Sequence, residues 1–377
     1  MPRNDNDISK ADSKIPVAYF LDRFGKGGGT ENQLAILLNG IDRSRFTSHL
    51  ISLRPAELSS SIDVDCPTYF LNVNRLASFR ALVGLCKLVR YLRRHRIKIL
   101  EIYFQDSNII GALAGRLAGI RNIVVNRRDM GWWYSTPALA WTNRVNRFTR
   151  FCLTNAEAVR QIVHEYEPFE LDQIRVIHNG VGHEPADGQI VTRKDLNIPE
   201  SAPVVGIVAN LKRIKRIDRF LRVAGNLQDK SVHFVIVGTG PDEEKLKAQV
   251  AASGLKDRVT FHKTVDHVLE IMSLFDVGVL TSETEGLSNV LIEYALASIP
   301  AVAFDTGGNK EVIEDGVTGY IVPGDDEEAM ARRLDELLAD SDLRRRMGQQ
   351  ARQQALERFS RKKMIARMEA FYTEICR

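Results

Sequence analysis

Two glutamates, Glu285 and Glu293, lie eight positions apart in "SETEGLSNVLIEYALASIPAVAFDTGGNKE", residues 282–311, a stretch that otherwise reads as core. The run from Asn289 to about Ala297 predicts a helix stopped by Ile299-Pro300. Val290, Leu291, Ile292, Tyr294, Ala295 and Leu296 cover nearly its whole circumference, so Glu293 is the one charge on a helix buried on most sides. Glu285 precedes it in a glycine turn. At 1.5 Å per residue the two would be about 12 Å apart on a common helix. That is too far for an acid/base pair on one bond, but it suits contacts at two ends of an extended ligand. The N–H groups of Gly286, Leu287, Ser288 and Asn289 fall between them at a helix start, where an anion binds. Hydroxyls, phosphate, hydroxyls is the outline of a nucleotide sugar. Spacing alone equally fits a Glu285 that complements the helix dipole and a Glu293 that is a paired core acid.

A second candidate is "ANLKRIKRID", residues 209–218, where Lys212, Arg213, Lys215 and Arg216 cluster at a strand exit. A solvated charge run is one reading, and cations clamping a departing diphosphate is the other. "GKGGGTE" (25–31) and "VGTGPDEEKL" (237–246) each follow a strand and open a helix, yet neither has the GxGxxG spacing of a dinucleotide site. This disfavours a dinucleotide dehydrogenase. The pair Asp63 and Asp65 forms a DxD beside a Cys-Pro turn and reads as a surface pair, so no metal site is expected.

These segments need a scaffold of alternating strands and helices, and the sequence supplies it twice. "IPVAYFL", "SHLISL", "KILEIYF" and "NIVVNR" alternate with helical patterns in the first half, and "PVVGIVANL", "VHFVIVGTG", "VGVLTS" and "AVAF" do so in the second. The reading is two doubly wound α/β domains, residues 15–186 and 203–355. A polar linker at 187–202 joins them, a tail covers 1–14, and a C-terminal helix at 356–377 packs back on the first domain. Ligands of such sheets bind at the carboxyl ends of the strands, so two sheets facing across a cleft are expected.

The 377 residues contain no apolar run near the ~20 needed to span a bilayer. Residues 1–14 lack the apolar core of a secretory signal, and Cys66, Cys86, Cys152 and Cys376 are scattered. A cytoplasmic protein with reduced thiols is the expectation. Lys+Arg outnumber Asp+Glu by 25 to 19 in residues 1–190, against 27 to 29 in 191–377. The first half therefore leans toward an acidic partner.

"SETEGLSNVLIEYALASIPAVAFDTGGNKEVIEDGVTGYIVP" resembles the donor-site signature of retaining glycosyltransferase family 4, including its E-x7-E motif. "GGGTE", "VIHNGV" and "ANLKRIK" extend the resemblance over most of the chain. It implies the GT-B fold of two Rossmann-like domains and transfer from a nucleoside-diphosphate sugar with retention. By resemblance, Glu293 takes the ribose hydroxyls, Glu285 faces the donor sugar, and Lys215 meets the diphosphate. Gly286 to Asn289 offer backbone donors to the distal phosphate, and Gly28 and Gly29 approach the reacting end from the first domain. Asn210 stands where the family has an arginine, so Lys212 is favoured over Arg213 as the second cation. Where many members carry a histidine, "VVNRRDMGWW" puts Arg127 or Arg128 near the acceptor.

The expected activity is metal- and cofactor-independent transfer of a hexose or N-acetylhexosamine, UDP-linked, to a saccharide or lipid-linked acceptor. The competing readings are an epimerase or hydrolase of the same fold and a catalytically silent binding subunit; nucleic acid is not an expected partner. "PALAWTNRVNRFTRF" (137–151) places Trp141, Val145 and Phe148 beside Arg144, Arg147 and Arg150, and "KLVRYLRRHRIK" (87–98) adds charge. Peripheral contact with the inner face of an anionic membrane is therefore a further expectation, against the alternative of a core-packed helix with a basic rim.

Overall fold

The computed structural model describes residues 14–25, 28–55, 62–131, 134, 137–182, 191–263 and 268–377. The chain forms two compact units, residues 1–180 with 361–377 and residues 181–360. No helix among the described residues is long and apolar enough to cross a membrane.

In the first unit, strands β1 (Ile15–Leu21), β2 (Phe46–Ser52), β3 (Thr68–Phe70), β4 (Ile99–Ile102), β5 (Asn122–Arg127), β6 (Phe151–Thr154) and β7 (Ile174–Val176) form one sheet. Its order is β3-β2-β1-β4-β5-β6-β7, all parallel. Between the strands run α1 (Gly29–Gly40), α2 (Phe79–Arg94), α3 (Gln105–Ala118), α4 (Ala138–Asn146) and α5 (Glu157–Tyr166). Strands buried on both faces explain the unbroken apolar runs read in the sequence. Ser78 caps α2 by accepting the Ala81 N–H, and Gly119, at φ +83°, ends α3 in the left-handed conformation.

The second unit repeats the plan with β8 (Val204–Val208), β9 (His233–Val237), β10 (Val259–His262), β11 (Val277–Leu280), β12 (Ala301–Phe304) and β13 (Gly319–Val322), in the order β10-β9-β8-β11-β12-β13. Its helices are α6 (Ile217–Asn226), α7 (Glu243–Ala252), α8 (Val268–Met272), α9 (Asn289–Leu296), α10 (Asn309–Val312), α11 (Glu327–Ala339) and α12 (Ser341–Arg358). In both sheets the strand order reverses between two central, parallel neighbours, β1/β4 and β8/β11. These are the points where doubly wound sheets open for ligands.

Two boundaries differ from the sequence reading. The described part of the expected linker, residues 191–202, belongs to the second unit: Arg193 donates to the Ala202 carbonyl and Thr260 Oγ1 to that of Leu196. Helix α13 (Arg361–Ile375) starts five residues later than expected and packs in the first unit. Its Met364, Met368, Phe371, Tyr372 and Ile375 join the core of Val17, Tyr19, Leu34 and Leu38.

Arg127 also requires correction, because it is not placed to meet an acceptor. It is the last residue of β5, is buried, and forms a two-pronged ion pair with Glu167 at 2.6 and 2.8 Å. Tyr134 and Asn146 donate to the same carboxylate. Burial opposes the guanidinium charge, but the charge and hydrogen bonds of Glu167 overcome it and raise its pKa. The pair is a strut between β5 and the end of α5. Arg127→Ala leaves Glu167 buried and uncompensated, so denaturant titration should show a loss of roughly 3–5 kcal/mol. UDP affinity of the folded variant should match wild type. Near wild-type stability would remove the strut role.

Candidate functional site

The site of the second unit forms at the carboxyl ends of β8 and β11. After β8 the chain makes a short 3-10 turn, Arg213–Lys215, and enters α6 through Arg216 at φ 48°. After β11 it runs through Thr281 and Glu285 to α9. Three contacts bind these exits together: the Glu283 N–H donates to the Ile214 carbonyl at 2.9 Å, and Thr281 Oγ1 lies 3.1 and 3.0 Å from the carbonyls of Lys215 and Arg216.

Across this junction the Lys215 ammonium meets Glu285 Oε1 at 2.6 Å, with both side chains largely shielded from solvent. The sequence reading gave these residues separate tasks, and the structure brings them together. The backbone at Glu285 is gripped from the other side by the loop after β12. Gly307, at φ +52°, approaches so closely that a Cβ there would lie 1.7 Å from the Glu285 carbonyl oxygen, and the Gly308 N–H donates to the Gly286 carbonyl at 2.8 Å. Only glycine fits position 307, which explains one of the glycines flanking the glutamates.

Helix α9 begins where the sequence predicts, with Ser288 as N-cap and no side chain closing its end. Among the described residues, no acceptor receives the N–H groups of Leu287 or Ser288. These donors and the helix dipole create a site for negative charge beside the Lys215–Glu285 pair. One turn on, Glu293 has neither a hydrogen-bond donor nor a cation as partner among the described residues. Glu293 is half-buried by surface area, and desolvation of its carboxyl pushes it up to about 7 from 4.5. This environment favours the protonated acid, and stability falls as pH rises from about 4.5 through about 7.

The neighbouring residue explains how this is held. Tyr294 is fully buried; its hydroxyl accepts the Val208 N–H at 3.0 Å and lies 3.3 Å from the Gly206 carbonyl, pinning α9 to β8. Its ring fills the space left by Gly278 on β11.

Lys212 is not brought to this pair. With Arg213, Arg216, Asp218, Asp242 and Lys245 it lines a separate cavity of about 260 Å³ between the starts of α6 and α7. Arg216 is itself held by Asp218 at 3.0 Å and Glu283 at 3.7 Å. Sequence reasoning missed Ser282 and Asn309, whose Oγ and Oδ1 atoms are buried without partners next to the glutamate and glycine segments. Their polar types at the end of β11 and the start of α10 were the available signal.

In the first unit, Gly28 is the N-cap of α1 and Gly29 its first residue; Lys26 and Gly27 of the same loop lie outside the described residues. The Glu31 carboxylate folds back against Gly28, where burial raises its pKa and Arg128 partly offsets this. Arg128 remains at the carboxyl edge of β5 and donates to Asn179 Oδ1 at 3.2 Å. Burial lowers its pKa, opposed by the charges of Tyr103, Glu101 and Glu31. Glu101, fully buried on β4, accepts from Asn126 Nδ2 at 2.8 Å, from Tyr103 at 2.5 Å and from Tyr372. Asp65 of the DxD pair is exposed and ion-paired with Arg43.

Comparison with known proteins matches residues 27–184 to the Glycosyltransferase Family 4 model and residues 189–354 to the Glycosyl transferases group 1 model. A curated relative, N-acetyl-alpha-D-glucosaminyl L-malate synthase of Bacillus anthracis, is 26% identical over 77% of this chain and 78% of its own length. Among solved structures, HepE of Anabaena in complex with UDP superposes with a TM-score of 0.80 at 21% identity, covering 95% of this chain and 99% of its own. A glycosyltransferase from Rickettsia africae gives 0.82 at 18% identity, over 97% and 99%. With two parallel Rossmann-like sheets and two family matches that together span most of its length, this chain belongs to glycosyltransferase family 4 and is a glycosyltransferase of the GT-B type.

Proposed function

We propose that the second unit binds a UDP-linked hexose or N-acetylhexosamine along the path from Glu293 to Glu285. The sugar passes, with retention of configuration and without a metal, to a saccharide or lipid-linked acceptor. The observation that carries the reading is the unpartnered carboxylate of Glu293 one turn from an open helix start and a lysine. The UDP named with the Anabaena neighbour supports a uridine nucleotide.

In this reading the ribose hydroxyls donate to Glu293, and the diphosphate takes the N–H groups of Leu287, Ser288 and Asn289. Lys215 stays on Glu285 and presents its remaining N–H bonds to the leaving phosphate. Glu285 keeps its second oxygen for sugar hydroxyls. The bond from the anomeric carbon to the phosphate oxygen breaks with its electron pair going to the diphosphate. The acceptor hydroxyl then bonds to that carbon and passes its proton to the departing diphosphate oxygen. Preorganised positive potential at the departing oxygen is the main catalytic term, and Lys215 with the α9 dipole provides it. Arg128 and the Gly28 edge are assigned to the acceptor.

Two experiments test this. Glu293 must ionise to accept ribose hydroxyls, so UDP binding below pH 7 should expel a proton and tighten as pH approaches 7. Calorimetry in buffers of different ionisation enthalpy should detect that release in wild type and lose it in Glu293→Gln, the titration of the UDP phosphate being common to both. Equal proton release in the two proteins would remove Glu293 from the ribose. For Lys215→Ala, UDP release during sugar transfer should slow by about 10²–10³-fold while UDP affinity falls far less. Turnover like that of wild type would take Lys215 out of the reaction.

A further inference from the structure

Helix α2 carries two apolar stripes, and only one is used. Ala81, Gly84, Leu88 and Leu92 face inward and are buried. Phe79, Leu82, Val83 and Cys86, at spacings i, i+3, i+4 and i+7, face outward, with Phe79 80% and Leu82 56% exposed. A helix needs one such stripe to fold; among the described residues nothing covers the second.

The outward stripe continues onto the next helices. Helices α2, α3 and α4 adjoin one another in that order, and Arg93 ties α2 to α3 by donating to the Leu117 carbonyl at 2.5 Å. Leu82, Leu85, Val89 and Leu117 line an open groove of about 810 Å³ rimmed by Arg90, Arg93 and Arg94. A second groove of about 360 Å³ lies between Phe79 and Lys87. Trp141 of α4 is 62% exposed on the same layer.

Charge decides what kind of partner fits. Residues 79–150 hold 14 Lys+Arg against three Asp+Glu. Of those three, Glu101 is buried, Asp106 is paired with Arg54, and Asp129 accepts the Gly131 N–H. An apolar strip framed by arginines, with its acids withdrawn, complements a surface that is anionic at the head and apolar beneath.

We propose that the α2–α3 face of the first unit docks on an anionic phospholipid bilayer, with Phe79, Leu82, Val83 and Leu117 entering the headgroup boundary and Arg80, Lys87, Arg90 and Arg94 meeting lipid phosphates. The sequence put this contact on residues 137–151 and 87–98; the proposal keeps the basic helix at 87–98 and centres on α2, since Thr142 and Asn146 of α4 are buried and Arg150 is held by Asn122 at 2.7 Å. The proposal does not depend on the donor-site reading, since UDP binding is measured separately.

The test is cosedimentation of the full chain with vesicles of equimolar phosphatidylcholine and phosphatidylglycerol, and with pure phosphatidylcholine. The full chain should bind the mixed vesicles and not the neutral ones, and high salt should release it. Phe79→Ser/Leu82→Ser and Arg90→Glu/Arg94→Glu should each weaken binding by roughly tenfold or more, since apolar burial and attraction to anionic headgroups are lost. Both variants should keep the wild-type melting temperature and UDP affinity, as every altered side chain is exposed. Failure of the full chain to bind, equal binding to neutral vesicles, or variants that bind like wild type would each overturn the proposal. Self-association abolished by the same variants, in place of vesicle binding, would overturn it in favour of a protein partner.

Discussion

Glu293 stands half-buried on α9 with no side-chain partner among the described residues, and desolvation pushes its carboxyl up to about 7. Ionising it there costs free energy, and a ligand offering hydroxyl donors would offset that cost. The cost persists because α9 cannot move to relieve it. Tyr294 locks the helix to β8 through two backbone groups, and the ring of Tyr294 sits where a side chain on β11 would otherwise project. The Lys215–Glu285 pair joins the exits of β8 and β11, and Gly307 closes on Glu285 from β12. Three neighbouring strands thus hold one turn of helix and its flanking charges in fixed relation, as preorganised electrostatic catalysis requires.

The first unit handles charge differently. Arg127 and Arg128 are adjacent in sequence, yet the first is spent on Glu167 as an internal strut while the second sits at the sheet edge among Glu31, Glu101 and Asn179. Successive strand residues point to opposite faces, so adjacency in sequence says little about which side chain reaches a ligand. Glu101, satisfied by Asn126, Tyr103 and Tyr372, couples the sheet edge to α13. The C-terminal helix is therefore part of the polar core of the unit as well as of its apolar one.

Much of this was legible in the sequence because it follows from periodicity. Apolar runs broken by glycine and helical patterns mark both parallel sheets, and the all-round apolar helix at 289–296 sets Glu293 apart in the sequence itself. Pairings between distant residues were not legible. Nothing in the spacing of Lys215 and Glu285, 70 positions apart, announces an ion pair, and nothing in "NRRD" announces Glu167. Lys212, near the position of the missing arginine, lines the cavity between the starts of α6 and α7, a placement that its neighbourhood in the sequence does not announce. The outward stripe of α2 was hidden for the opposite reason: its residues look like core, and only the fold shows that the core lies on the other side.

Whether Glu293 reads the ribose is decided by calorimetry of UDP against 2′,3′-dideoxy-UDP, in wild type and in Glu293→Ala. The two hydroxyls and the carboxylate form one interaction in this account. Removing the hydroxyls should weaken binding to wild type by roughly tenfold or more, as for hydrogen bonds to a charged group, and should change nothing further once Glu293 is gone. An equal loss in both proteins would place the ribose elsewhere and contradict the account.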